Sequence, residues 1–269
     1  VDRSTLLSSQ ASERVLGLFG DGRLPFTIDH TADPELRRRT PTLAEMTRHA
    51  LKCLEGRGDG FLLQVEGARI DHAGHANDIA AALWDQIAFD DAIAAALEFA
   101  REDGETLVFV CTDHGTGGPG LCGVGDAYSA AGEHFERIAT AQGSFEKLGQ
   151  VVQPLRSDLD GVRSTLQQQF KAQYGFDLSD EQAALVAAGF TRGVPIELNQ
   201  QHRNAHGALG QILGNRYSVQ WSGVSHTADW VFATAVGPGA KQLHGLRHHI
   251  DVFDRIAEMW RFPAETAAT

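Results

Sequence analysis

Runs of consecutive apolar residues alternate along this chain with longer stretches in which apolar positions recur every three or four residues. The continuous runs are VLGLF (15–19), FLLQV (61–65), TLVFVC (106–111) and WVFATAV (230–236). Each is short and carries β-branched or aromatic residues, the pattern of a buried strand. Between the second and third, Ile79, Leu83, Ile87, Ile93 (or Ala94) and Leu97 recur near helical spacing after Asn77, a residue suited to an N-cap. A second amphipathic helix is predicted over 41–55, with Pro41 near its first turn. Strand, helix, strand order of this kind predicts an α/β fold with a central, mostly parallel sheet flanked by helices.

From about residue 124 to 215 the strand-like runs disappear and Gln-, Ala-, Glu- and Arg-rich helical sequence replaces them. SDEQAALVAAGF carries a capping box, Ser179 to Gln182, and stops at Gly189. His202 and His206 stand four apart, and with no carboxylate or cysteine beside them they read as polar helix surface. The predicted organisation is an incomplete α/β core from 1–123 and 216–269, with a mainly helical insertion over 124–215.

Composition narrows the partners. The 269 residues carry 23 Lys and Arg against 35 Asp and Glu, a formal charge of −12, which opposes binding to a nucleic-acid backbone. No run of 18 apolar residues predicts a membrane span, and the first ten residues have neither the basic start nor the apolar centre of a signal peptide. Cys53, Cys111 and Cys122 form no CxxC pair, and Cys111, inside an apolar run, reads as a buried thiol.

Candidate chemistry lies just beyond the strand-like runs. VEGARIDHAGH (65–75) puts Glu66, Asp71, His72 and His75 directly after an apolar run. A helical turn there aims Asp71 and His75 at one point, and carboxylate oxygen with imidazole nitrogen is a zinc-type ligand set. CTDHGTGG ends the next run with Asp113 and His114. In an α/β sheet ligands bind beyond the carboxyl ends of the strands, so the two clusters are expected to converge. His226, in SGVSHTADW, stays open on its own residues.

These motifs resemble those of the alkaline phosphatase family: VEGARIDHAGH its Glu, Asp and His ligand block, TDHGTGG its second Asp-His pair, and SHTADWVFATAVGPGA its last metal-histidine segment. RVLGLFGDGRLPFTID is similar to the stretch preceding the first block. The resemblance implies a zinc-, magnesium-dependent phosphate monoester hydrolase working through a phosphoserine. It assigns Asp71, His75 and His226 to one zinc, Asp113 and His114 to a second, and Glu66 to magnesium. One zinc would activate the serine; the other would steady the leaving oxygen and then deliver hydroxide. His72 falls where family members vary and is a candidate for phosphate contact through water or behind the ligands, with a surface role left open. Gly67, Thr116 and Gly118 read as shaping the backbone.

The family's nucleophilic serine, bridging aspartate, magnesium-binding hydroxyl and phosphate-clamping arginine find no match, and Ser4, Ser8 and Ser9 lack the surrounding strand-to-helix junction. The expectation is therefore a carboxyl-terminal part of such an enzyme, inactive alone, from a periplasmic or secreted protein, with a homodimer or self-association through exposed core surface left open. A non-catalytic metal-binding relative or partner subunit stays as an alternative, as does a superfamily phosphodiesterase or sulfatase, against which the EGARID block speaks.

Overall fold

The computed structural model describes residues 2–10, 14–58, 60–123, 125–191, 201 and 204–261. His202 lies outside them. Twelve α-helices and six short strands are built in the following order, all among the described residues.

The first 60 residues form α1 (Arg3–Ser8), α2 (Thr27–Ala32), α3 (Pro34–Arg39) and α4 (Leu43–Leu54). α4 begins where Thr42 and Glu45 exchange hydrogen bonds in a capping box, just after Pro41. Then come α5 (Arg69–Ala76) and α6 (Ile79–Asp103), the latter opened by the Asp78 side chain and closed by Gly104 in the left-handed region. The helix break between them falls at Asn77 and Asp78, so Asn77 ends α5 and Asp78 is the cap expected at Asn77.

Strands β1 (Val108–Val110), β2 (Gly115–Thr116) and β3 (Pro119–Leu121) follow α6. The chain then becomes helical: α7 (Ala131–Ile138), α8 (Phe145–Val152), α9 (Leu159–Tyr174), α10 (Asp180–Thr191) and α11 (Ala205–Tyr217). The Ser179 and Gln182 box forms as expected, with reciprocal bonds of 3.0 and 3.2 Å, while α10 continues two residues past Gly189. β4 (Val219–Trp221), β5 (His226–Thr227), β6 (Thr234–Val236) and α12 (His249–Met259) complete the order.

The α/β class holds, but the pairing within it differs from expectation. The ladders among the described residues are β1 with β6, β2 with β5 and β3 with β4, each two-stranded and antiparallel. Residues 15–19 and 61–65 form no ladder. An apolar run becomes a strand only when its N–H and C=O groups meet a partner backbone, and none of the described segments supplies one. Cys111 lies just past the end of β1 and is exposed; Cys53, on α4, is the buried cysteine.

The core is built mainly by the helical stretch. Phe145, Leu148, Val162, Leu166, Phe170, Val186, Leu209 and Tyr217 are buried in one cluster that also takes in Phe26, Ile28, Ala73, Ala80, Ala81, Val219 and Trp221. α6 enters it by an unexpected face. Its buried positions are Ala80, Ala81, Asp85, Ala92 and Ala95, whereas Leu83 and Ile87 stay exposed. Alanines let α2, α4 and α5 pack closely on α6, and close approach of backbones outweighed the side-chain bulk that made the other face look like the core.

Three buried carboxylates sew the layers together. Asp78 accepts the N–H groups of Ala81 at 3.1 Å and Phe145 at 2.7 Å, joining α6 to the start of α8. Asp29 accepts from the Ser144 N–H at 2.9 Å and hydroxyl at 2.5 Å, and Asp85 from the Thr27 N–H at 3.1 Å and hydroxyl at 3.0 Å. Burial pushes Asp78 up to about 7 and Asp85 up to about 6, and raises Asp29 in the same direction. No helix among the described residues is long and apolar enough to cross a membrane.

Candidate metal centre

α5 projects Asp71 and His75 from one face, a turn apart, with His75 Nε2 at 3.4 Å from Asp71 Oδ2. The third group arrives by strand pairing. β2 pairs with β5 so that Thr116 stands opposite His226. That register brings His226 Nε2 to 3.5 Å from Asp71 Oδ1 and 3.1 Å from His75 Nε2. The ligand atoms of Asp71, His75 and His226 all lie within 4.8 Å of one another, and no other group of three or more such residues converges among the described residues.

The tautomer of His75 is set by its other nitrogen. Nδ1 lies 2.6 Å from the Val224 carbonyl, which can only accept, so Nδ1 carries the proton and a neutral ring presents a lone pair at Nε2. That lone pair faces a second imidazole nitrogen and a carboxylate. Three electron-rich groups on one point are a poor arrangement by themselves and a fitting one around a cation. One carboxylate oxygen and two imidazole nitrogens match the donors that zinc takes in sites with an open fourth position.

Thr116, read from sequence as backbone-shaping, contributes a side chain as well. Its hydroxyl donates to Asp71 Oδ1 at 2.6 Å and lies 3.3 Å from His114 Nδ1. Gly74, one turn of α5 from Asp71, allows this approach: a methyl group there would come within 2.8 Å of the Thr116 carbonyl. Thr116 was missed because a hydroxyl in a Gly-rich turn has no ligand signature of its own.

His114 comes alongside this group, with Asp113 beside it. The His114 ring stacks on His226 with centroids 3.6 Å apart and planes 22° apart. His114 Nε2 lies 3.1 Å from Asp113 Oδ2, and the Asp113 side chain is 82% exposed. The pair supplies two donors, short of the four that a tetrahedral zinc takes. Glu66 is exposed in the segment before α5 and outside the converging group.

His72, next to Asp71 on α5, is outside the converging group and half-buried. Its Nδ1 is buried without a hydrogen-bond partner among the described residues, and burial, then the charges of Arg23 and Arg69, lower its pKa. Arg69 is itself buried at the start of α5, 3.6 Å over the Phe26 ring and 2.8 Å from Glu146 of α8. His206 is not on a polar helix surface as expected: its ring packs near Phe145 and Phe190, and burial lowers its pKa. The signal was ambiguous because four-residue spacing marks a shared helical face without saying whether that face is wet. His248 caps α12 through its side chain.

Together the fold and this centre define an α/β protein whose carboxylates and histidines gather where a helix start meets paired strand ends. The sequence profile of the alkaline phosphatase family matches residues 1–262, and the chain belongs to that family. It is 32% identical over 246 residues to alkaline phosphatase 3 of Bacillus subtilis, covering 91% of this chain and 48% of that protein. Its fold is similar to the crystal structure of Thermus thermophilus alkaline phosphatase, with TM-score 0.84, 30% identity and coverage of 96% of this chain and 54% of that one. A cold-active alkaline phosphatase from the psychrophile Shewanella sp. aligns with TM-score 0.69 and 26% identity over 95% of this chain and 57% of its own. The chain thus spans about half the length of the relatives it matches.

Proposed function

We propose that this chain carries the metal-binding half of a phosphate monoester hydrolase that works through a phosphoserine. Asp71, His75 and His226 would hold one zinc, Asp113 and His114 would contribute to a second, and Glu66 to magnesium. Bound there, the divalent ions would supply Lewis acidity to phosphoryl oxygens and lower the pKa of the attacking hydroxyl. The observation that carries this reading is the convergence of Asp71, His75 and His226 on one point.

The chain's own groups do the orienting. The Val224 carbonyl keeps the proton of His75 on Nδ1 and leaves Nε2 facing inward. The Thr116 hydroxyl holds one oxygen of Asp71 and leaves the rest of the carboxylate available. His114, stacked on His226, ties the two proposed metal positions to each other. A cleft of about 300 Å³ lined by Gln201 and residues 222–227 opens beside His226 and gives the substrate phosphate an approach.

Ser4, Ser8 and Ser9 do not serve as the nucleophile in this reading. Ser4 Oγ donates to Asp2, Ser8 Oγ to the Ser4 carbonyl and Ser9 Oγ to the Leu6 carbonyl, so all three belong to α1 and its ends. The nucleophile is assigned instead to sequence of the longer relatives that has no counterpart in these 269 residues. In the same reading residues 124–215 are a helical lobe on the α/β part, the enzyme is periplasmic or secreted, and self-association covers exposed core surface.

The test is hydrolysis of p-nitrophenyl phosphate by the 269-residue chain, alone and joined to the complementary half of a Bacillus relative. The chain alone should turn over little faster than free zinc. The joined protein should show zinc-dependent activity that Asp113→Ala abolishes. An enzyme-like rate from the chain alone would overturn the assignment of the nucleophile.

A further inference from the structure

Asn77 stands two residues beyond His75, is 1% exposed and closes α5 in the left-handed conformation, φ 53° and ψ 33°. Asparagine tolerates that backbone better than most residues, so the cap alone could account for its presence. The side chain does more. Its Nδ2 donates to the Gly74 carbonyl at 3.0 Å and to the Gly223 carbonyl at 2.7 Å, spending both N–H groups. Its Oδ1 accepts from Gln201 Nε2 at 3.3 Å, and Gln201 Nε2 also donates to the Trp221 carbonyl at 3.0 Å.

Gly223 is the residue before Val224, whose carbonyl receives the His75 proton, and His226 follows two positions later. The contact is enclosed on the far side by α11, where a methyl group at Gly210 would collide with Asn77. We propose that Asn77 is a positioning residue for this centre: by clamping Gly223 it fixes the carbonyl that orients His75 and the segment that delivers His226. The spacing of the two imidazoles is then set by a side chain that touches neither metal nor substrate. This inference rests on reading Asp71, His75 and His226 as zinc ligands.

Asn77→Gly separates the two roles, because glycine adopts the left-handed cap freely and removes only the clamp. The variant 269-residue chain should keep its far-ultraviolet circular dichroism. Its zinc affinity, measured by competition with a chromogenic chelator, should fall about 10- to 100-fold, the usual cost of losing a group that orients a ligand. The ligand-field absorption of the cobalt(II)-loaded chain should change, and the His75 Nδ1 proton, followed by ¹⁵N NMR without metal, should exchange faster. Gln201→Ala leaves the cap untouched and should lose zinc affinity toward the lower end of that range, about 10-fold. It decides the matter if Asn77→Gly does not fold. Unchanged zinc affinity and cobalt spectrum in the folded variant, or in Gln201→Ala in that case, would overturn the proposal. If the unmodified chain binds no zinc, the ligand reading fails by itself, and the metal-free His75 exchange still decides whether Asn77 positions the ring.

Discussion

Leu148, Leu166 and Leu209 in the helical stretch are wholly buried, whereas Leu16, Leu62 and Phe232 on the flanking segments are 82%, 69% and 96% exposed. One region is sealed by helix packing; the other presents large apolar side chains to solvent next to short strand ladders. The proposed ligands stand on the second region and are steadied from the first, through Gln201 and Asn77, and through Gly210 at the back of α5. On that reading the site would draw its precision from the closed block behind it, while the proposed ligands themselves stand where the chain is less buried. Substitutions in the two regions should therefore diverge sharply.

The largest effect is expected in the sealed block. Phe170 has no exposed surface, and Phe170→Ala should cost about 3–5 kcal/mol of unfolding free energy in chemical denaturation. A cost below about 1 kcal/mol would show that the helical core is looser than its packing indicates.

Next in size is a pH effect at the seam between α6 and α8. The folded-state pKa of Asp78 is raised to about 7, above an unfolded value of about 3.9. The stabilisation from the protonated carboxyl is therefore complete below about pH 4 and lost as pH rises through about 7. The metal-free chain should lose on the order of 2–4 kcal/mol across that window, with Asp85 adding in the same direction up to about 6. Asp78→Asn should flatten the profile, measured as thermal stability against pH in the presence of a chelator. A variant with the original slope would place the titration elsewhere.

Smaller effects follow at the surface. Ser179→Ala removes the capping bond of 3.2 Å to Gln182 and should cost about 1 kcal/mol. Phe232→Ala, at 96% exposure, should change stability by no more than about 0.5 kcal/mol. A loss of several kcal/mol there would mean that the flanking segments bury surface in solution that the fold leaves open, and the contrast between the regions would collapse.

Much of the site could be read from the chain. Asp71 and His75 declare themselves because a four-residue spacing on a helix start is a geometric statement, and Asp113-His114 because a Gly-rich turn follows a strand. His226 was settled only by the family resemblance, since a lone histidine carries no geometry until β2 pairs with β5. Asn77 and Thr116 escaped for a related reason: an Asn between two helices can end one or begin the next, and a hydroxyl acquires a role only when a carboxylate 45 positions away comes within reach. On α6 the alanine face was overlooked because small side chains look featureless in a hydrophobic pattern, although they allow the closest packing. The runs at 15–19 and 61–65 have strand composition, but pairing depends on a partner that composition does not reveal.

The account turns on whether Asp71, His75 and His226 form one complete site beside an incomplete one. Zinc titration of the chelator-stripped 269-residue chain, with metal counted per chain, tests this most directly. One tight zinc that disappears in His75→Ala, with any second zinc bound markedly more weakly, is the predicted result. Two equally tight zincs, or tight binding that survives His75→Ala, would contradict it.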